Sequence, residues 1–137
     1  MNNWIYSDGG RAQYFRGNAG DCAARAMAIA LNRDYLLCYK ELAVQSKLST
    51  GKCSARSGIL KSDYTCVLAR HGFHWFPAPI FQNRKARCTD LSGVVIARQA
   101  KHYVAVIDGI VHDTFDSSHK MVYGYWASIE NRCFCQR

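Results

Sequence analysis

The sequence predicts an α+β fold, with helices first and an antiparallel sheet after them. Three observations carry this reading. An alanine-rich apolar run follows Asp21. The second half breaks into short β-branched runs. Asp108-Gly109, a strong hairpin signal, stands between two of those runs.

The elements follow in order. Residues 1–20 are punctuated by Gly9, Gly10, Gly17 and Gly20 and read as irregular. Asp21 is a good N-cap, which makes Cys22 the first residue of a helix that is apolar apart from Arg25. Asp34 caps a second helix whose apolar face is Tyr35, Leu36, Cys38, Tyr39, Leu42 and Ala43. Residues 47–58 read as loop. A third helix runs over 60–70, and Gly72 stops it. His74-Trp75-Phe76 reads as a strand, after which Pro77 and Pro79 break regularity. Val94 to Ala97, His102 to Ile107 and Ile110 to Phe115 read as strands, with a further one in 121–126.

Composition bounds the function. A chain of 137 residues, 49% hydrophobic and 20% charged, fits one globular domain over 1–137 rather than a disordered chain. The net charge of +8 admits nucleic acid as a partner class, but the densest basic cluster is only Arg84, Lys85 and Arg87. A scattered basic surface is the preferred reading. No apolar stretch reaches the roughly 18 residues of a membrane span, and no secretory segment opens the chain. The expected location is the reducing cytoplasm, with no membrane partner and with free thiols. The seven cysteines are odd in number, so they cannot all pair within a monomer.

The chemistry is carried by Cys22, His102 and Asp113. A cysteine in the first turn of a helix meets the positive end of the helix dipole and free amides, which favour the nucleophilic thiolate. Gly17-Asn18-Ala19-Gly20 leaves room beside it for a substrate carbonyl. Asp21 works against activation, because a neighbouring carboxylate raises a thiol pKa. A two-residue Asp108-Gly109 turn sets Ile107 opposite Ile110, and counting back sets Val104 opposite Asp113 and His102 opposite Phe115. His102 and Asp113 then share a face as diagonal neighbours, as a base and its orienting carboxylate must. A bulge would reverse this.

At these residues the chain resembles the papain-like peptidases, especially the small bacteriocin-processing branch and papain-like proteins of phages and prophages. The resemblance rests on Asn18-Ala19-Gly20-Asp21-Cys22-Ala23-Ala24-Arg25-Ala26, on Lys101-His102-Tyr103-Val104-Ala105-Val106-Ile107-Asp108-Gly109, and on Val111-His112-Asp113-Thr114. It implies a papain-like domain with helices carrying the Cys packed on a sheet carrying His and Asp. It also implies hydrolysis of a peptide or isopeptide bond in a protein or peptide substrate through an acyl-enzyme, without cofactor or metal. Arg16 stands where that family has its oxyanion-stabilising Gln. The replacement candidates are the amides of Asn18 and Gln13, with Asn18 preferred because its loop leads into the helix. The alternative is an inactive scaffold of this type that binds a protein or nucleic acid.

Other residues carry less. Cys133-Phe134-Cys135 with His112 and His119 is a weak zinc signal, because the cysteine spacing is too short. Cys66 reads as a core residue. His71 reads as a partner for a helix C-terminus.

Overall fold

The computed structural model describes residues 3–17, 20–51 and 58–129. Three helices, α1 (Cys22–Leu31), α2 (Tyr35–Thr50) and α3 (Lys61–Arg70), lie on one face of a six-stranded sheet. The strands are β1 (Trp4–Tyr6), β2 (His74–Pro77), β3 (Val94–Gln99), β4 (His102–Ile107), β5 (Ile110–Asp113) and β6 (Gly124–Ala127), in the order β1-β5-β4-β3-β6-β2. The α+β class is therefore correct.

The sheet is mixed rather than antiparallel. Four of its five pairings are antiparallel, but β1 runs parallel to β5, with Trp4 beside Val111 and Tyr6 beside Asp113. The segment expected to be irregular thus supplies an edge strand and a 3-10 turn (Arg11–Gln13). A three-residue strand carries too little alternation to be read. Long-range bonds hold it: the Trp4 indole N–H and the Ser7 amide both donate to the Asp113 carbonyl, each at 3.0 Å.

The helix boundaries follow local chemistry. The Asp34 carboxylate accepts from the Leu37 amide at 3.2 Å, as a capping residue should. α2 continues to Thr50, past the expected loop start, and stops at Gly51 in the left-handed conformation. After α3, Gly72 takes φ +80° while the Phe73 amide closes on the Leu68 carbonyl at 3.0 Å. Cys66 is exposed on α3, not core, because the buried face of that helix runs through Asp63, Tyr64, Val67 and Leu68. His71 sits at the C-terminus of α3, and its ring pairs with Glu41 on α2 at 2.8 Å.

Small side chains set the central packing. Ala23, Ala24, Ala26 and Ala28 are buried in α1, so the helix lies close against β4. Beneath it Tyr64, Tyr103 and Trp126 form a mutual aromatic cluster, with ring centroids 4.6–5.6 Å apart. Two hydroxyls tie that cluster to the backbone. Tyr64 donates to the Ala23 carbonyl at 2.7 Å and Tyr103 to the Ile59 carbonyl at 2.9 Å. These bonds fix the first turn of α1 and the approach to α3 against the sheet. The opposite face buries Val95, Ala97, Val104, Val106, Val111 and Tyr125 under the 3-10 turn Cys88–Asp90 and its surroundings. Gly124 belongs where β2 crosses it. A side-chain carbon there would meet the Trp75 ring at 2.3 Å and the Phe76 carbonyl at 2.8 Å.

Candidate active site

Asp108 (φ +50°) and Gly109 (φ +82°) form the expected tight turn. Ile107 pairs with Ile110, Val106 with Val111 and Ala105 with His112, with no bulge. His102 therefore begins β4 beside the end of β5, and its Nε2 lies 2.7 Å from Oδ2 of Asp113. An ionised carboxylate only accepts, so Nε2–H donates and Nδ1 is left for the other partner. The candidate is Cys22, the first residue of α1, which lines the same cavity as His102 and whose thiol interacts electrostatically with the imidazole. The Phe115 ring packs on the imidazole, with centroids 5.0 Å apart.

The second oxygen of Asp113 is also held. Oδ1 accepts from the Thr114 amide at 2.7 Å and from Arg25 at 3.4 Å. Arg25 in turn grips Asp21, and Asp21 also accepts from Arg11 Nε at 2.8 Å and from the Tyr35 hydroxyl. A continuous chain of charge thus runs Arg11–Asp21–Arg25–Asp113–His102–Cys22 through the interior. Asp21 is 1% exposed and Asp113 3% exposed, so these pairs are shielded from water.

This network revises the reading of Asp21. It occupies the N-cap position, yet its side chain makes no bond to the helix amides. Two guanidiniums and a phenol offer stronger, charge-assisted partners. The carboxylate therefore does not block the first-turn amides beside Cys22, and its charge is matched before it reaches the thiol. Arg25 was legible only as the one polar residue of an apolar helix. Arg11 carried no signal at all.

The thiols differ accordingly. Burial pushes Cys38 up to about 11 and Cys88 to about 12. Burial also acts to raise Cys22. The His102 hydrogen bond, the Tyr103 backbone, and the charges of His102 and Arg25 outweigh it and bring the thiol below its ordinary value. His102 moves the other way. Burial lowers it, but its hydrogen bonds to Asp113 and Cys22 dominate and raise it to about 9. The site favours thiolate and imidazolium together.

Cys22 and His102 open onto a cavity of about 570 Å³. A second cavity, of about 690 Å³, lies beyond Arg25 and Phe115, which line both, and it is bounded by Tyr6 and Phe15.

The oxyanion candidates fare differently. Asn18 lies outside the described residues. Gln13 is exposed on its 3-10 turn and is not among the residues lining the Cys22 cavity. The Cys22 amide, at the first position of α1, has no intrahelical acceptor and is a candidate donor to an oxyanion. Cys133 and Cys135 also lie outside the described residues. Among the described residues no group of three or more His, Cys, Asp or Glu is placed to hold a metal ion, and no helix is long and apolar enough to cross a membrane.

No family model matches the chain, and no curated protein or solved structure does either.

Proposed function

We propose that this chain is a cysteine hydrolase of the papain-like type, acting on a peptide or isopeptide bond. The observation that carries the reading is the His102–Asp113 contact of 2.7 Å beside a thiol at the first position of α1. Structural histidines also pair with carboxylates. What favours catalysis is that the imidazole shares a cavity with a half-buried thiol whose pKa it lowers.

The roles follow from the geometry. The Cys22 thiolate attacks the carbonyl carbon, forming an S–C bond, and the carbonyl electrons move to oxygen. The first-turn amide of α1 stabilises that oxyanion. The intermediate collapses, and the leaving amine takes the proton from His102 Nδ1. Water then attacks the thioester, gives its proton to His102, and releases the acid and the thiolate. Asp113 keeps the imidazole oriented throughout, and Arg25 and Asp21 keep Asp113 in place. A cavity on each side of Phe115 suits an extended chain, so a protein or peptide is the proposed substrate. Free thiols at Cys22, Cys38, Cys66 and Cys88 suit a reducing cytoplasm, including that of a bacterium carrying a phage gene.

The test needs no natural substrate. p-Nitrophenyl acetate should give a burst of nitrophenol and an acetyl group on Cys22, seen by peptide mass spectrometry. Cys22→Ala should fold normally and show neither. A burst that persists in Cys22→Ala, or an acetyl group on Cys66 instead, would remove Cys22 from the reaction. An inactive binding scaffold would give no burst in either protein.

A further inference from the structure

The cavity in front of Cys22 is unevenly charged. Lys61, Arg98 and Lys101 line it, and among the described residues no Asp or Glu does. Among the described residues none of the three forms an ion pair with a carboxylate, whereas Arg11, Arg25, Arg33, Arg70 and Arg84 all do. The three come from separate elements. Lys61 opens α3 and is held over the Trp75 ring at 3.8 Å. Arg98 is half-buried on β3, opposite Tyr103. Lys101 directly precedes His102.

Lys101 has a further peculiarity. It adopts φ +53°, a backbone conformation that favours glycine and disfavours any side chain. The β3–β4 turn therefore carries a lysine where the backbone is better served without one. The ammonium it places is exposed at the mouth of the cavity, next to the base.

We propose that this cavity binds a carboxylate of a peptide substrate, close to the scissile carbonyl, through Lys101 and Arg98 with Lys61 at the rim. The inference rests on Cys22 being the nucleophile and adds the class of group beside the reacting bond. The carboxylate comes from an Asp or Glu side chain or from a chain terminus. Unpaired cations could also meet nucleic acid phosphates. The three cations gather around one cavity of about 570 Å³ that also holds the half-buried thiol, and that size favours a small charged group over a polyanion.

The test uses two alkylating reagents that differ in charge. In both, the Cys22 sulfur displaces iodide and forms one S–C bond. Iodoacetate carries a carboxylate, and iodoacetamide does not. The rate ratio of the two at Cys22 is compared with the ratio for N-acetylcysteine amide. The expected ratio favours iodoacetate about threefold to tenfold over that reference, and it relaxes toward the reference as salt rises from about 20 mM to about 500 mM. Lys101→Gly and Arg98→Gln should each lower it. Lys101→Gly relaxes the backbone, so a lost preference there is not a folding defect. A ratio equal to the reference, or one unmoved by either substitution, overturns the proposal.

Protection of Cys22 from iodoacetamide then identifies the source. A C-terminally amidated Glu peptide reports a side-chain carboxylate, and a neutral peptide with a free C-terminus reports a terminal one. Protection by a single-stranded oligonucleotide but by neither peptide also overturns the proposal. The absolute iodoacetamide rate reports the nucleophile and the ratio reports the cations, so the two readings fail separately.

Discussion

Asp21→Ala is expected to cost about 3–5 kcal/mol, which is most of the total for a protein at the low end of the usual range of about 5–15 kcal/mol. The residue is 1% exposed and accepts from Arg11, Arg25 and Tyr35 at once. Alanine would leave two guanidiniums in the interior with their nearest counter-charge gone. Arg11 also donates to the carbonyls of Arg16 and Gly17, so the segment leading to Cys22 should loosen with it. Urea unfolding followed by circular dichroism measures the effect. A loss below about 1 kcal/mol would mean that water reaches these charges and that the network is a surface feature.

Asp113→Asn is expected to reduce the ester burst rate by about 10²–10⁴-fold, while Asp108→Asn leaves it within about twofold. The two aspartates lie near one hairpin but differ in partners. Asp113 holds His102 and is nearly sealed from water. Asp108 is exposed in the turn and accepts from the Gly93 amide at 2.9 Å. An asparagine at 113 cannot stabilise the imidazolium, so the His102 pKa should drop from about 9 toward its ordinary value. Proton NMR of the imidazole separates that effect from a folding defect. The reverse ranking of the two variants would mean that the carboxylate at the turn, not the one on β5, orients the base.

The linkage has a definite sign. The folded-state pKa of His102 lies above its unfolded value. The stability its proton contributes is therefore complete below the unfolded value and is lost as pH rises through about 9. Cys22 is lowered, so its thiolate survives into the range where ordinary thiols are protonated. Thiolate and imidazolium coexist between those two limits.

What could be read in advance was local. Asp108-Gly109 specifies a turn, the turn specifies the pairing of Ile107 with Ile110, and that pairing puts Asp113 beside His102. Cys22 at the start of α1 follows equally from the composition of 22–31. The rest depends on contacts between residues far apart. Arg25 and Asp113 are 88 positions apart, and β1 meets β5 across most of the chain. No spacing rule reaches that distance. Asp21 was misread as a side-chain cap because helix signals weigh only nearby amides, whereas the side chain answered to two arginines. Gln13 has the right chemistry for an oxyanion donor, but a 3-10 turn carries it into solvent.

The most direct test of the Cys22–His102 pair is the iodoacetamide labelling rate of Cys22 against pH, in wild type and in His102→Ala. The paired thiolate should react at pH 6 within about tenfold of its pH 9 rate, whereas an ordinary thiol loses about 200-fold over that interval. His102→Ala should restore the steep, ordinary profile. A wild-type Cys22 that follows the ordinary profile, or a shallow one that survives the loss of His102, would contradict the account.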